Sequence, residues 1–385
     1  MERLLVKGGT LIDPGRGYRR EKADIFIEDG LIKEIAPEIA AEGCDVLDAA
    51  GLFVAPGLID IHIHTRGETR KVEEGSPDAD ELGCRRGVTT VVEAGSVAPL
   101  DIEELAEQAA KEQTRHLALL GCHTIRGFAP HHRELDLDSI RVEYFRAAKE
   151  SHPELVKGLK CLCSGSLAGA QSAALVRRAV EIGNELDLPV MVHIGRFPPD
   201  PNEIVELLRP GDIVTHSYHG KEVSPYLPDG TPKEAFQRAR ERGVLIDVGH
   251  GKESFSWPVY QRAAAKGFVP DTISTDLYNA NMNGPVWSLP VVMSKLMALG
   301  MTLEDAVEKS TSAPAAALRL PLLGRLEPGC LGDLTVFRLE EGSWELPDSY
   351  GEMQRLTRLI CPRQVVLSRP GGSRVAACSP QPAAG

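Results

Sequence analysis

The chain opens with apolar and polar residues in alternation, and this period of two predicts half-exposed β-strands. Segment 25–35, IFIEDGLIKEI, predicts a hairpin around Asp29-Gly30, because this dipeptide readily adopts the positive φ angles of a tight turn. Strand character returns late in the chain in two segments, 331–340 and 363–371. We therefore expect residues 1–54 and 325–385 to form one small β-sandwich domain.

Between these ends, residues 55–324 alternate short apolar runs with amphipathic helical stretches. The apolar runs predict strands at 58–64, 88–95, 116–124, 155–162, 190–195, 212–219, 244–251 and 271–277. Predicted helices between them include 102–113, 172–186 and 233–243. This alternation predicts an α/β fold, a closed TIM (β/α)₈ barrel inserted into the β-sandwich domain. An open doubly wound sheet is the alternative, although no glycine-rich nucleotide-binding motif follows the first barrel strand.

Composition limits the partners that this chain can have. The formal net charge of −12 argues against nucleic acid or an anionic membrane surface, and no apolar run is long enough to predict a membrane span. A small anionic substrate needs only local cations, so the net charge still allows a small-molecule substrate, which we expect. We also expect the chain to form a homo-oligomer. The opening MERLLVKGGTLID lacks signal-peptide features, and the eight cysteines form no Cys-x-x-Cys pair. These features favour a cytoplasmic protein.

Histidines fall near the C-terminal ends of predicted strands, the face on which barrel enzymes build active sites. In LIDIHIH, Asp60, His62 and His64 share one face of the strand, while leucine and isoleucine fill the other. A strand within a closed barrel has no free edge, so this polar face must point into the lumen. His193 and His216 each end an apolar strand. One such histidine is usually a core residue, but two on successive strands favour metal ligands.

Two further residues complete the candidate metal site. Asp276 closes the eighth strand, which adjoins the first in a closed barrel, although it could instead cap a following helix. Lys157 and Lys160 lie three apart and so on opposite faces of their strand, and we expect Lys160 in the lumen. An ammonium beside two divalent cations is unfavourable. Lys160 is therefore neutral or a carbamate formed with carbon dioxide, unless it is simply a solvated lysine.

The ordered set PGLIDIHIH, GLK, VH, TH and STD resembles the amidohydrolase superfamily over nearly the whole chain. Segments such as VTTVVEAGS, DVGHGKESFSW and LPVVMSKLMALGMTLEDAVEKSTSAPA are similar to its deacetylase-like, or dihydroorotase-like, branch. The resemblance implies a centre of two divalent metal ions, with zinc the expected metal. The ligands that it implies are His62, His64 and Asp276 for one ion, His193 and His216 for the other, and carboxylated Lys160 between them.

The same resemblance implies roles in catalysis and substrate binding. Asp276 would accept a proton from the attacking water and return it to the leaving group, and His250 is a catalytic candidate as an oxyanion donor. Arg66 extends the first motif to HxHxR, where dihydroorotase-like relatives bind a substrate carboxylate; an ion pair with Glu68 is the alternative. Further candidate substrate contacts are His219, Tyr218, Asn283 and Trp287.

The expected function is hydrolysis of an amide or ester bond in a small acylated carboxylate, either an N-acyl amino acid or an O-acetyl hydroxy acid. The alternative is opening of a cyclic amide, as dihydroorotases and hydantoinases do. It is weakened because VVEAGS stands where an asparagine-bearing motif is expected in dihydroorotases. A catalytically silent scaffold is a third hypothesis, and loss of a ligand would be its signature. No ligand position is lost here.

Overall fold

The N-terminal strands form a sheet in a computed structural model that describes residues 1–66, 76–126 and 134–379. They are β1 (Arg3–Asp13), β2 (Tyr18–Glu28), β3 (Leu31–Ala36), β4 (Asp45–Asp48) and β5 (Phe53–Pro56). Strands β2 and β3 are the predicted antiparallel hairpin, and Asp29 and Gly30 at its turn both have positive φ. The turn prediction is therefore confirmed.

The central segment forms a parallel sheet in which each strand pairs with the next along the chain. Its strands are β6 (Leu58–Ile63), β7 (Val88–Ala94), β8 (Arg115–Gly121), β9 (Val156–Cys163), β10 (Val190–Ile194), β11 (Ile213–Thr215) and β12 (Leu245–Ile246). An eighth, extended segment closes the barrel through parallel bridges of Thr272 to Asp247 and of Leu277 to Ile63. The barrel prediction is confirmed, with an irregular segment in place of the eighth strand.

Helices follow most barrel strands and pack their apolar faces on the sheet. Their bounds are α1 (Ala79–Leu82), α2 (Ile102–Ala109), α3 (Val142–Ser151), α4 (Ser172–Leu186), α5 (Pro201–Val205), α6 (Glu234–Glu241), α7 (Trp257–Ala265), α8 (Leu289–Ala298), α9 (Leu303–Glu308) and α10 (Ser312–Ala317). In α4 the buried residues recur every three or four positions, as a one-sided helix requires. Within the described part of the chain, no helix has the length and apolar character needed to cross a membrane.

The C-terminal strands complete the β domain. They are β13 (Leu334–Pro347), β14 (Met353–Arg369) and β15 (Gly372–Ala377). The sheet order β15-β14-β13-β5-β1-β2-β3, with β4 beside β1, joins both ends of the chain in one hydrogen-bonded sheet. The barrel is thus an insertion between β5 and β13. Because β5 continues to Pro56, pairing in this sheet extends slightly past the predicted boundary at residue 54.

Gly87 lies where the barrel meets β14, and we expect Gly87→Ala to destabilise the protein more than Gly267→Ala does. Both glycines have left-handed backbone, with φ of +87° and +78°, so each alanine costs roughly 1–2 kcal/mol in backbone strain. A Cβ at position 87 would also lie 2.4 Å from Cγ of Pro362, whereas one at position 267 would have nothing within 4 Å. Thermal unfolding measures the difference, and equal melting temperatures would contradict the tight contact.

Candidate active site

Three histidines direct one ring nitrogen each at the carboxylate of Asp276, at the C-terminal mouth of the barrel. The Nε2 atoms of His62 and His64 lie 3.4 and 3.1 Å from Asp276 Oδ1, and Nε2 of His216 lies 3.9 Å from Oδ2. All three imidazoles are buried. The ligand atoms of His62, His216 and Asp276 lie within 4.8 Å of one another, a spacing that can hold a metal ion.

The other ring nitrogen of each histidine is occupied by a protein acceptor. The Thr215 hydroxyl donates to Asp247 at 2.6 Å, so it accepts from His62 Nδ1 at 3.1 Å. His64 Nδ1 lies 2.9 Å from Glu93 Oε1, and His216 Nδ1 lies 2.5 Å from the carbonyl oxygen of Gly249. These acceptors place the proton on Nδ1. The Nε2 lone pairs consequently face the centre, as metal ligation requires.

Burial keeps the imidazoles of His62 and His216 neutral. Burial, with the nearby Lys160 second, lowers the pKa of His62 well below its ordinary value. Burial lowers the pKa of His216 to about 3, although the charge of Asp276 acts in the opposite direction. A neutral imidazole is the form that binds metal ions. The electrostatics of the site therefore agree with its geometry.

Lys160 lies in the lumen, on the face that the sequence predicts. It is fully buried, and its Nζ lies 2.8 Å from His62 Nε2 and 3.3 Å from Met191 Sδ. Lys157, three residues earlier on β9, instead donates to the carbonyl oxygen of Pro153 on the outside. The solvated-lysine alternative therefore does not hold for Lys160.

His193 lies beside the same centre but is less enclosed. It is the next-to-last residue of β10, and its ring centroid lies 4.3 Å from that of His216. Its partial exposure places it at the open side of the site. The structure thus brings together all six residues that the sequence marks as metal ligands.

Two members of the cluster have unusual backbone conformations. His216 and Asp276 have φ of +66° and +53°, a region that residues other than glycine seldom occupy. Asn281 supports the second of these, since its side-chain Nδ2 donates to the Asp276 carbonyl at 2.8 Å. Strained backbone of this kind concentrates at functional sites, where surrounding contacts hold it in place.

Asn281 and Glu93 are functional residues that the sequence analysis missed. Glu93 is fully buried and accepts from His64 Nδ1, from the Thr65 amide at 2.9 Å and from the Thr65 hydroxyl at 3.0 Å. Although burial raises its pKa, these hydrogen bonds, that of His64 first, outweigh the effect and hold the pKa of Glu93 low. A carboxylate inside the apolar run VTTVVEA was the available signal, because strands in a closed barrel leave no solvated edge for it.

Asn283, unlike Asn281, is exposed. Its role in substrate binding stays a prediction. Trp287, also a candidate contact, is half-buried, and its ring lies 5.4 Å from the Lys295 ammonium. That placement gives Trp287 a packing partner in α8.

His250 is fully buried, with both ring nitrogens engaged. Nε2 lies 2.9 Å from Lys295 Nζ, and Nδ1 lies 3.0 Å from the carbonyl oxygen of Gly251. The oxyanion role stays a prediction that these contacts do not favour. They favour instead a role in holding the loop that contains Gly251. This loop contacts Asp276, since a Cβ added to Gly251 would lie 2.6 Å from Asp276 Oδ2.

Tyr218 lies among aromatic rings behind the site. Its hydroxyl donates to the carbonyl oxygen of Phe268 at 3.2 Å, and its ring packs against Tyr226 and Tyr260. Tyr218 is fully buried. Its substrate role stays a prediction, and the placement favours packing.

Arg66 and His219 retain donors that a substrate could use. Arg66 is buried and pairs with Glu104 at 3.2 Å, while its Nε and Nη2 have no partner among the described residues. The alternative partner Glu68 lies outside that part of the chain. His219 Nδ1 accepts from the Lys221 amide, so Nε2 carries the proton, and within the described ranges Nε2 has no partner either. Burial lowers the pKa of His219 to about 3, which keeps this ring a neutral donor.

Known proteins resemble this chain over most of its length. The model of the Amidohydrolase family matches residues 53–368. A protein named deacetylase from Agrobacterium fabrum is 34% identical over 369 residues, which are 92% of this chain and 87% of that protein. A dihydroorotase from Streptococcus pneumoniae is 39% identical, but the match covers 29% of this chain and 27% of that protein.

Two solved structures are similar over nearly the whole chain. One, described as a dihydroorotase, is 32% identical, has a TM-score of 0.86 and covers 99% of both chains. The other, described as an adenine deaminase, is 30% identical, has a TM-score of 0.88 and covers 97% of this chain and 99% of its own. One fold thus serves proteins with different named activities, so the substrate must be argued from the site.

We expect Glu93→Gln to weaken metal binding roughly 10–100-fold, because the neutral amide no longer holds His64 Nδ1–H by charge. Metal content after dialysis against a graded chelator series measures the effect. Glu103→Gln, an exposed change on α2, is the control and should match the wild type. Equal retention of metal by both variants would contradict the orienting role of Glu93.

Proposed function

This chain belongs to the amidohydrolase family, whose members hydrolyse carbon–nitrogen bonds, and we propose that it removes the acyl group from a small acylated carboxylate. One observation carries the proposal: three Nε2 lone pairs, a buried lysine and the Asp276 carboxylate converge at the mouth of the barrel. The related deacetylase matches across 92% of this chain, which supports acyl removal over other activities of the family.

The residues present fit two divalent ions, which we take to be zinc. Neutral imidazoles and carboxylates are ordinary zinc ligands. His62, His64 and Asp276 would hold one ion, and His193 and His216 the other. Such ions would supply Lewis-acid polarisation of the scissile carbonyl and an acidified water.

Lys160 suits the bridging position as a carbamate. Its Nζ is fully buried and adjoins His62 Nε2, the atom that would bind metal. A protonated amine there would repel two divalent ions in a dry site. Addition of the neutral amine to carbon dioxide would form an N–C bond at the expense of one C=O π bond and release a proton, and the resulting carbamate would supply anionic ligand oxygens to both sets.

Asp276 is the group positioned to move protons. In the group formed by His62, His216 and Asp276 at the barrel mouth, the aspartate is the partly exposed residue. It can therefore meet both the attacking water and the leaving group. We assign it acceptance of the water proton and its donation to the departing nitrogen or oxygen. The donors proposed to bind substrate oxygens are His219 Nε2–H and two Arg66 nitrogens, Nε and Nη2, for which the described residues offer no acceptor.

Cyclic amide hydrolysis is the second candidate. It is supported by the dihydroorotase structure, which covers 99% of this chain. The alignment to the dihydroorotase from Streptococcus pneumoniae is short, however, and covers 29% of the chain. We rank deacylation first on that difference.

Turnover of defined compounds tests the proposal. Zinc-loaded enzyme should hydrolyse members of a panel of N-acetyl amino acids and O-acetyl hydroxy acids, and should leave dihydroorotate and hydantoins intact. Asp276→Asn should lose activity by about three orders of magnitude or more, since proton transfer contributes about 10²–10⁴-fold. Hydrolysis confined to the cyclic amides would replace the first candidate with the second. An active Asp276→Asn enzyme would remove Asp276 from its role.

Lys160→Ala should lower metal content and abolish activity, because the two ligand sets lose their bridging anion. Short carboxylic acids added to this variant should restore part of both. Lys157→Ala is the matched control on the outer face of the same strand and should retain both. Full metal content in Lys160→Ala would contradict the bridging role, and so would the absence of any carbamate carbon signal in wild type supplied with ¹³C-labelled carbon dioxide.

A further inference from the structure

Lys221 places a cation at the open side of the site without an anionic partner. It follows His216 in the loop after β11, and its half-buried side chain has one polar contact, a long 3.4 Å hydrogen bond from Nζ to the Ser254 hydroxyl. Among the described residues, no carboxylate lies within 4 Å of this ammonium. Partial removal of a charge from water is costly unless a partner compensates.

Three polar atoms lie close to Gly195 and bring this ammonium near a candidate metal ligand. A Cβ built on Gly195 would lie 2.9 Å from Ser164 Oγ, 3.2 Å from His193 Nε2 and 3.3 Å from Lys221 Nζ. The backbone of Gly195 is not in the left-handed region. The missing side chain therefore lets a hydroxyl, a candidate ligand nitrogen and an ammonium approach one another closely.

The far side of Lys221 leads to the proton-transfer group. Ser254, its hydrogen-bond partner, lies beside Gly251, where an added Cβ would be 3.5 Å from Ser254 Cβ and 2.6 Å from Asp276 Oδ2. Lys221 thus lies between the His193 side and the Asp276 side of the site. A substrate whose scissile bond meets Asp276 would bring its neighbouring substituents close to this ammonium.

The acidic residues around Lys221 are engaged elsewhere. Glu253 pairs with Arg196 at 3.0 Å, and Glu222 accepts from the Phe197 amide at 3.0 Å. Both glutamates are exposed to solvent, which screens their charge. An anion beside Lys221 would therefore meet the ammonium without displacing an existing ion pair.

We propose that Lys221, with the Ser164 hydroxyl, binds the carboxylate of the substrate and makes the enzyme selective for anionic acyl compounds. The inference rests on the proposed deacylation. The Ser164 oxygen accepts from the Arg196 amide at 3.0 Å, so its own hydrogen can donate to a carboxylate oxygen. Lys221 supplies the charge and Ser164 the direction, and they follow the ends of β11 and β9, the two strands that pair with β10.

The test compares a carboxylate with its neutral analogue. Binding of N-acetylalanine and N-acetylalaninamide is measured by calorimetry in the zinc-loaded Asp276→Asn enzyme, so that slow turnover does not interfere. Adding Lys221→Met should weaken the binding of N-acetylalanine about tenfold or more, the usual effect of losing a hydrogen bond to a charged group. The affinity for N-acetylalaninamide should stay nearly unchanged. Lys221→Arg should recover part of the loss.

Lys252→Met removes the same charge from an exposed position on the loop after β12 and is the matched control. It should bind both probes as the parent does. If Lys221→Met weakened the binding of both probes equally, the residue would have a structural role. An unchanged carboxylate affinity would overturn the subsite, and so would a parent that binds the amide as well as the carboxylate. Either result leaves deacylation itself to be judged by the turnover panel.

Discussion

The architecture of this protein depends on the convergence of imidazole lone pairs on the Asp276 carboxylate inside a water-poor barrel mouth. Each lone pair is aimed by an acceptor on the far side of its ring: Thr215 for His62, Glu93 for His64 and the Gly249 carbonyl for His216. Burial holds the imidazoles of His62 and His216 neutral, and positive φ at His216 and Asp276 turns the chain so that their side chains meet. Each of these features on its own lowers the stability of the folded state. Binding of a ligand at their centre would offset that free-energy cost.

Closure of the barrel and assembly of the site use the same hydrogen bonds. The eighth segment lacks regular strand pairing, but Thr272 and Ser274 donate to Asp247, at 2.7 and 2.6 Å. Thr275 likewise donates to Asp60, a carboxyl whose pKa burial raises to about 7. Asp247 also receives the Thr215 hydroxyl that orients His62. Hydroxyl-to-carboxylate bonds therefore replace part of the ladder that an eighth strand would form, and they carry Asp276 to its position.

Much of this could be predicted because periodicity reports which face of a strand is buried. The spacing of His62 and His64 and the contrast between Lys157 and Lys160 followed from a period of two in a closed barrel. Glu93 and Asn281 escaped because they act through His64 and Asp276, and sequence spacing does not reveal which side chain accepts from which. His250 and Tyr218 follow short barrel strands, and the direction of a side chain in such a loop depends on partners far away in sequence, such as Lys295 and Phe268.

The β domain also contacts the site, through a loop that follows β12. Lys295, buried in α8, donates to the Pro347 carbonyl at the end of β13 and contacts His250. Ser349 donates to the Gly251 carbonyl at 2.8 Å. Both contacts anchor the loop whose Gly249 carbonyl orients His216 and whose Gly251 adjoins Asp276. The end of β13 thus fixes the loop that positions two candidate catalytic groups, His216 and Asp276. The two domains therefore form one functional unit.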